Sequence, residues 1–162
     1  MKSITYKQIT ETNLQEYESL MLPMIYEELK AQTNIEENNY LALAAVDGDT
    51  PLGALVAELE DNGDLNLLSI WTEQAYRREG VASALLNKMS EIASALYNWD
   101  DGQYGEDITL KIMYCLDDKY RDVLENWLEK NDFTDFYILQ DGNDERPDIC
   151  GATAEIHIFR YS

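Results

Sequence analysis

The sequence predicts an α+β fold, in which one mixed sheet of about seven strands carries about four helices. The first half of the chain contains three successive strand-like segments joined by short turns, which is typical of an antiparallel meander. The second half alternates strands with amphipathic helices, and this alternation is typical of parallel neighbours in a sheet. The order βααβββαβαββ contains no repeat or linker, so residues 1–162 are expected to form a single domain.

The first strand and the first two helices are predicted from local patterns. Residues 2–9 alternate weakly between the two faces of a strand. Asn13 and Glu16 have the spacing of a capping box, which predicts the start of a helix. Pro23 should end this helix, because proline cannot continue it. The inner faces of the two helices would be apolar: Leu14, Tyr17, Leu20 and Met21 in the first, and Met24, Ile25 and Leu29 in the second.

The middle of the chain predicts three consecutive strands. Residues 40–46 are almost continuously apolar, and residues 52–59 and 65–72 form two further strand-like runs. Turn-forming residues at 47–49 separate the first two runs. The Asn-Gly pair at 62–63 is the dipeptide most typical of a tight hairpin. We therefore expect an antiparallel meander whose middle is well buried.

A helix is predicted to begin at or near Gly80. Its apolar residues recur every three or four positions and line one helix face: Val81, Leu85, Met89, Ile92 and Leu96. The first turn of a helix has backbone N–H groups without intrahelical partners, and the helix dipole adds partial positive charge there. This helix start can therefore hold an anion.

The residues around this helix start favour a diphosphate as the anion. The small residues Gly80, Ala82 and Ser83 would let a bulky phosphate approach the backbone, and Arg77 and Arg78 add full positive charge just before the helix. An ordinary helix start after a solvated basic loop is the alternative interpretation. The unbroken order of strand, basic loop, small residues and amphipathic helix favours the anion site.

The last third of the chain predicts a loop, a helix and three strands. Residues 98–107 form a loop that is longer than is usual in α/β units. Asp117 or Asp118 can cap the next helix. That helix would bury one apolar stripe, made of Tyr120, Val123, Leu124, Trp127 and Leu128. The strands are expected at residues 108–114, 133–139 and 153–161, with a polar loop at 141–151.

The helix start and the order of elements resemble the GNAT superfamily of acyl-coenzyme A N-acyltransferases. The family signature Q/R-x-x-G-x-G/A stands here as Arg77-Arg78-Glu79-Gly80-Val81-Ala82, and the element order matches from about residue 2 to residue 160. The resemblance implies that acetyl-coenzyme A is the co-substrate and that the fourth and fifth strands run parallel and splay apart. It implies cofactor-binding roles for the backbone of Ile70, Trp71 and Thr72 and for Arg77, Arg78, Glu79, Gly80, Val81, Ala82 and Ser83. It also implies that Tyr26, Glu27 and Glu28 face the acceptor, and a solvated helix face is the alternative interpretation of these three residues.

Transfer of an acetyl group to an amine requires a base, an oxyanion donor and a proton for the leaving thiolate. A backbone N–H of Trp71 or Thr72 is the expected oxyanion donor. Glu58 is a candidate base, and the other carboxylates at the relevant strand ends are Glu60, Asp64 and Glu73. His157 is an alternative base, because it is the one histidine of the sequence.

The usual acid of the family is a tyrosine five residues before the phenylalanine of a Gly-Phe pair. Counting back from Phe133, that position holds Leu128, and Asp132 replaces the glycine. We expect Leu128 to lie beside the thioester sulfur without donating a proton. Tyr114, Tyr120 or Cys115 would then supply the proton, or the thiolate would leave unassisted, because its conjugate acid has a pKa of about 8.5. 

The composition restricts the class of partner. The sequence contains 12 Lys and Arg residues and 32 Asp and Glu residues. The resulting net charge of −20 disfavours nucleic-acid binding. The same charge would attract a cationic acceptor, although it could also serve solubility alone. No apolar run of roughly 18 residues or secretory signal is present, so we expect no membrane association and a cytoplasmic protein. Cys115 and Cys150 do not have metal-ligand spacing, and no metal site is expected.

Two functional hypotheses follow. The first is an acetyl-CoA-dependent N-acetyltransferase that acts on a primary amine of a small molecule or peptide, and its acceptor carries positive charge if the acidity is functional. The second is a non-catalytic acyl-CoA-binding or sensing domain, which the leucine at the acid position suggests. A third interpretation is an acidic interaction domain that binds no coenzyme. A homodimer is compatible with each.

Overall fold

The computed structural model describes residues 4–60, 64–77, 79–96, 107–114, 116 and 118–157. Its seven strands are β1 (Ile4–Gln8), β2 (Tyr40–Asp47), β3 (Thr50–Leu59), β4 (Leu65–Thr72), β5 (Asp107–Tyr114), β6 (Asp135–Gln140) and β7 (Ile149–His157). They form one sheet in the order β1-β2-β3-β4-β5-β7-β6. The β4–β5 pair is parallel and the other pairs are antiparallel, so the predicted mixed α+β sheet is confirmed.

Four helices longer than one turn accompany the sheet in the described residues, besides the short 3₁₀ helices Glu36–Asn38 and Gln74–Tyr76. The first is a 3₁₀ helix, Leu14–Leu20, and it is followed by the α-helices α1 (Pro23–Lys30), α2 (Val81–Leu96) and α3 (Asp118–Lys130). The 3₁₀ helix buries Leu14, Tyr17 and Leu20, and Met21 is buried just after its end, as expected. In α1 the prediction for Met24 was wrong, because Met24 is 79% exposed and Tyr26 is buried beside Ile25 and Leu29.

The capping box predicted from Asn13 and Glu16 does not form. The Oδ1 atom of Asn13 accepts the backbone N–H of Thr10 at 2.7 Å, and no side-chain hydrogen bond caps the 3₁₀ helix. The Asn13 side chain instead closes the turn after β1, where its Nδ2 donates to the carbonyl of Gln8 at 3.0 Å. A side chain that is used in the turn cannot also cap the helix.

The meander β2–β3–β4 forms the middle of the sheet. Strands β2 and β3 are joined by a two-residue turn, in which Gly48 has a φ of +62°. Almost all of β2 is buried on both faces, because α2 covers one side and the 3₁₀ helix with α1 covers the other. The Asn-Gly pair at 62–63 lies outside the described residues.

Strand β4 separates from β5 after a short parallel contact. The two strands pair only from Leu65 to Leu67, opposite 110–112 of β5. On its other side β4 shifts register against β3, since Val56 pairs with Ser69 but Ala57 pairs with Leu67. Leu68 is thus the extra residue of a β-bulge, and a bulge bends the strand and increases its twist. The predicted splay of the central sheet is confirmed. The gap between β4 and β5 opens beside residues 68–72, which form the open half of β4.

Helix α2 begins close against the backbone of the meander. A Cβ atom at Gly53 of β3 would lie 2.7 Å from the carbonyl oxygen of Trp71 and 3.2 Å from Cγ1 of Val81. Only glycine therefore fits at this crossing. The absent side chain allows the first turn of α2 to sit next to the end of β4.

The predicted buried stripe of α3 is partly wrong. Tyr120 and Val123 are 60% and 66% exposed, whereas Leu128 is fully buried. The helix is rotated so that Arg121 and Glu125 turn inward and make polar contacts with neighbouring elements. Those contacts, which the hydrophobic pattern cannot show, decide which side of α3 is exposed.

Several predicted bounds differ from the structure. Strand β7 begins at Ile149 and not at residue 153, so the polar loop before it covers 141–148 only. Strand β6 begins at Asp135, because the end of α3 is linked to it by a tight turn at 131–134. Most of the predicted loop 98–107, together with Cys115, Asp117 and residues 158–162, lies outside the described residues. Among the described helices, none has the length and apolar character to cross a membrane.

Candidate active site

The start of α2 has the geometry of an open anion site. Gly80 lies just before the helix with a φ of +81°, and its carbonyl accepts the N–H of Ala84 at 2.9 Å. This left-handed conformation is one that residues with a side chain rarely adopt. A Cβ at Gly80 would have no atom within 4 Å, so the space in front of the first turn is open. A phosphate could therefore reach the N–H groups of the first turn.

Two other residues of the first turn anchor it to the protein. Val81 is buried against the sheet. The Oγ atom of Ser83 accepts hydrogen bonds from Nε1 of Trp127 at 3.1 Å and from Nδ2 of Asn131 at 3.2 Å. Ser83 was predicted to bind the cofactor, and the structure shows that its side chain also joins α2 to α3. The sequence contains no pattern that would indicate this link.

Arg77 lies back over the end of β4. Its Nε donates to the carbonyl of Thr72 at 3.0 Å, and its guanidinium carbon lies 4.7 Å from the centre of the Trp71 ring. This distance is within the range of a cation–π contact. Arg78 lies outside the described residues, and Glu79 is exposed.

The backbone N–H and C=O groups of β4 point alternately toward β3 and toward the gap. Glu73 donates its N–H to the carbonyl of Leu52 at 2.8 Å, which makes that pair hydrogen-bonded. Hydrogen-bonded pairs recur every second residue in an antiparallel ladder, so the backbone of Trp71 is directed toward β3. The backbone groups of Ile70 and Thr72 face the gap instead. Of the two expected oxyanion donors, the N–H of Thr72 is therefore the better placed.

A cavity of about 650 Å³ lies between β4, the 3₁₀ helix and α1. Its floor includes residues 69–71 of β4, which are the ones beside the gap. Its walls carry the carboxylates of Glu16, Glu18 and Glu27. The cavity therefore combines an acidic wall with direct access to the strand that was predicted to bind the pantetheine arm.

The predicted acceptor-facing residues of α1 divide into two groups. Tyr26 and Glu27 line the cavity, and their role toward an acceptor stays a prediction. Glu28 instead accepts a hydrogen bond from the hydroxyl of Tyr40 at 2.7 Å. This bond and the burial of the ring raise the pKa of Tyr40 to about 12. Glu28 is thus part of the contact between α1 and β2.

Ser69 is a residue of the cavity that sequence reasoning missed. It is a buried polar residue at the bulge of β4, and its Oγ accepts the N–H of Leu22 at 3.1 Å. Leu22 precedes α1 and has no side-chain oxygen with which to cap it. Ser69 therefore fixes the start of α1 on β4. A lone serine in an apolar strand was the only signal in the sequence.

The candidate bases lie at different distances from the open half of β4. Glu58 pairs in register with Asn66, at the end where β4 still contacts β5, and it is not among the described residues that line the cavity. Glu60 and Asp64 both bind Nζ of Lys111, at 3.2 and 3.0 Å. These hydrogen bonds raise the pKa of Lys111 and hold the two carboxylates in an ion-pair network. 

His157 lies far from the candidate acid along the sheet. Its backbone pairs with Asp107 at the beginning of β5, whereas Tyr114 ends that strand. The side chain of His157 lies outside the described part of the chain, so its role as a base stays a prediction.

Tyr114 is held in a polar network. Its hydroxyl donates to Oε2 of Glu125 at 2.5 Å, and the same oxygen accepts from Nε of Arg121 at 3.2 Å. Nη1 of Arg121 also lies 3.4 Å from Oδ2 of Asp148 in the loop before β7. Burial, and then the bond to Glu125, raise the pKa of Tyr114 well above its ordinary value. Tyr120, the other candidate, points to solvent.

The end of α3 shows what replaces the Gly-Phe pair. Asp132 has a φ of +70°, and the N–H of Phe133 donates to the carbonyl of Leu128 at 3.0 Å. Together with the bond from Asp132 to Glu129 at 3.2 Å, this is a Schellman motif with aspartate at the left-handed position. Leu128 is fully buried in the core with Phe133. The expectation that Leu128 lines the space beside the sulfur was therefore wrong.

Comparison with protein-family models identifies the class of protein. The model described as "Acetyltransferase (GNAT) family" matches residues 6–99, which is more than half of the chain. The chain belongs to this family of acetyltransferases. No curated protein sequence matches it.

Solved structures share the fold at low sequence identity. The ribosomal-protein-S18-alanine N-acetyltransferase from Escherichia coli is 14% identical, with a TM-score of 0.64 over 99% of this chain and 97% of that chain. The spermidine/spermine N-acetyltransferase SpeG from Vibrio cholerae, in mutant forms, is 12% identical, with a TM-score of 0.64 over 96% and 95%. PaiA N-acetyltransferase from Thermoplasma acidophilum, in complex with coenzyme A, is 14% identical, with a TM-score of 0.58 over 92% and 98%.

Proposed function

We propose that this protein is an acetyl-CoA-dependent N-acetyltransferase whose acceptor is a positively charged primary amine of a small molecule or peptide. The observation that carries the proposal is the acidic cavity whose floor is the open half of β4. In this arrangement an amine in the cavity would meet a thioester in the gap between β4 and β5. The family membership supports the acetyl transfer, and the cavity supports the choice of acceptor.

The coenzyme side of the site is supported by three features of the chain. The open space at Gly80 and the first turn of α2 would hold the diphosphate. The backbone groups of Ile70 and Thr72 would pair with the amide groups of the pantetheine arm. A similar structure from Thermoplasma acidophilum was determined in complex with coenzyme A.

The acceptor side is supported by charge. Glu16, Glu18 and Glu27 line the cavity, and the chain as a whole has a net charge of −20. Such a field raises the local concentration of cations. Similar structures belong to enzymes named for spermidine and spermine and for the alanine of a ribosomal protein, so both small and peptidic amines occur as acceptors on this fold.

The reaction makes one C–N bond and breaks one C–S bond. The neutral amine attacks the thioester carbonyl, whose oxygen would be stabilised by a backbone N–H of β4 that faces the gap and is not paired with the pantetheine arm. The amine loses a proton to a base, for which Glu58 is proposed through a chain of water molecules, since it lies beside Asn66 at the other end of β4 and does not line the cavity. The thiolate then leaves and takes a proton from Tyr114, or leaves unassisted. Tyr114 is preferred to Tyr120 because it ends the strand that borders the gap.

A non-catalytic acyl-CoA-binding domain is the second candidate function. It is favoured by the burial of Leu128 at the position of the family's acid and by the engagement of the Tyr114 hydroxyl with Glu125. Both candidates require coenzyme binding, and only the first requires turnover. The cytoplasmic location and a homodimer stay predictions of the sequence.

The test combines calorimetric titration of acetyl-CoA with an assay of free thiol. We expect acetyl-CoA to bind, and thiol to be released faster with 1,4-diaminobutane than with butylamine, which has the same length and one charge. Glu27→Gln should raise the KM for the diamine several-fold and leave that for butylamine unchanged, because only the second ammonium group needs the carboxylate. Binding without thiol release from any amine would support the second candidate. Absence of binding would contradict both.

A further inference from the structure

The contact between Arg77 and Trp71 joins the two halves of the proposed site. Trp71 lines the cavity, and Arg77 begins the loop that leads to the open start of α2. We propose that the indole of Trp71 is the cation-recognition surface of the acceptor cavity, and that Arg77 occupies it until a bound diphosphate draws the guanidinium away. This inference rests on the proposed function, because it assigns the coenzyme and a cationic amine to these two places.

In the part of the chain that the structure describes, Arg77 contacts the ring of Trp71 and a backbone carbonyl. The guanidinium carbon lies 4.7 Å from the ring centre, and Nε donates to the carbonyl of Thr72 at 3.0 Å. The side chains of both residues are exposed, Trp71 by 42%. An exposed cation–π contact has a modest free energy, equivalent to about a two- to fivefold change in an equilibrium constant. A diphosphate, which offers Arg77 a charge-assisted hydrogen bond, can therefore compete with the ring.

The guanidinium of Arg77 should weaken the binding of a second cation to the Trp71 ring. The attraction of a ring for cations comes from its quadrupole, and a guanidinium already at 4.7 Å repels an approaching ammonium group whichever face it uses. While Arg77 stays on Trp71, the cavity is therefore a weaker site for an amine. Removal of Arg77 from the ring should strengthen the binding of a cationic acceptor.

The two ligands should consequently help each other to bind. Coenzyme A would increase the affinity for a cationic amine, and by reciprocity the amine would increase the affinity for coenzyme A by the same factor. A neutral alcohol of the same length should show no such coupling, since it gains nothing from the ring quadrupole. Arg77 acts here as a positioning residue, and Trp71 contributes to specificity.

The test uses the full chain labelled with 5-fluorotryptophan. The sequence has three tryptophans, and the ¹⁹F resonance that disappears in Trp71→Phe belongs to Trp71. We expect this resonance to shift in Arg77→Met, and to shift in the wild type when coenzyme A is added. In Arg77→Met coenzyme A should cause little further change. Lys88→Met, which removes an exposed positive charge on the same helix that begins at Val81, is the matched control and should behave like the wild type.

Affinity for 1,4-diaminobutane provides the second measurement. It should rise about two- to fivefold when coenzyme A is present, and Arg77→Met should show the raised affinity without coenzyme A. A Trp71 resonance that stays unchanged at saturating coenzyme A would overturn the proposal. Unchanged diamine affinity in Arg77→Met would overturn it whether or not coenzyme A binds. Failure of the proposed function would instead appear as absence of any calorimetric signal for coenzyme A, so the two failures are distinguishable.

Discussion

Helices α2 and α3 cover the same face of the sheet but are oriented by different interactions. The inward side of α2 carries buried apolar side chains, such as Leu85 and Met89, and the period of these residues orients the helix. The inward side of α3 carries Arg121 and Glu125 together with Leu128, while Tyr120 points to solvent. A hydrophobic pattern therefore predicts the orientation of a helix only when no polar network competes with it.

The network of α3 connects elements that are distant in the sequence. Glu125 accepts a hydrogen bond from the hydroxyl of Tyr114 at the end of β5, and Arg121 donates one to Asp148 in the loop before β7. Asp148 also accepts the N–H of Gly142 at 2.6 Å, which closes that loop. Partly buried polar groups stabilise a structure when each has a partner and destabilise it when one partner is removed. Helix α3 should therefore be more sensitive to polar substitutions than α2.

The largest effect is expected at Tyr114. If its hydroxyl protonates the leaving thiolate, Tyr114→Phe should reduce kcat by ~10² and leave the Kd for acetyl-CoA nearly unchanged. Tyr120→Phe is the control on the same segment, and it should keep wild-type turnover because this ring is exposed. Steady-state thiol release measures both. Equal rates in the two variants would favour unassisted departure of the thiolate.

The next effect concerns the start of α2. Gly80→Asp should lower the affinity for coenzyme A by more than about tenfold, because the aspartate carboxylate would lie where the diphosphate is proposed to bind. Gly80→Asn is the matched control, since it has the same size and a better tolerance of the left-handed conformation at φ +81°. Calorimetry should show a clearly smaller loss for asparagine. If the two variants bind equally weakly, backbone strain and not charge is the cause.

The polar network itself can be broken at Arg121. Arg121→Met should lower the free energy of unfolding by about 1–2 kcal/mol, because Glu125 and Asp148 both lose a partner. Lys88→Met on α2 removes one exposed pair with Glu91 and should cost at most about 0.5 kcal/mol. Urea unfolding measures both. A similar cost for the two variants would contradict the contrast between the helices.

The smallest effect is expected from the two tyrosines with raised pKa values, which change the stability only at alkaline pH. Tyr40 has a pKa raised to about 12 from the ordinary 10.0, and the pKa of Tyr114 is raised further by burial and Glu125. A raised folded-state pKa stabilises the protein below pH 10, and this stability is lost as the pH rises from 10 through the folded-state value. The unfolding free energy should therefore decline between pH 10 and 12. Tyr40→Phe should flatten the decline, and an unchanged slope would contradict the assignment.

The coenzyme loop could be predicted from the sequence because its determinants are local. Gly80, the small residues after it and the apolar period from Val81 lie within a few positions of one another, and each constrains the backbone directly. Strand β4 was predicted with its observed bounds for a similar reason, since its alternation continues to the residue before the polar loop. Short-range rules are sufficient for such features.

Other parts of the site depended on contacts between distant segments. Ser69 to Leu22, Ser83 to Trp127 and Tyr114 to Glu125 join residues from different elements. Their polar side chains carry no periodicity, so the sequence does not indicate which partner each one finds. Asn13 shows the converse, because its side chain satisfies a local capping pattern and yet closes a turn instead.

The sequence by itself determined the class of fold, the start of α2 and the likeness to an acyltransferase, because each follows from periodicity or from residues that are adjacent in the chain. The tertiary structure alone decided the rotation of α3, the position of β7 between β5 and β6 and the acidic cavity over β4. Hydrophobic periods specify which elements form. Hydrogen bonds and ion pairs between those elements specify how they are rotated, and the rotation determines which side chains share a site.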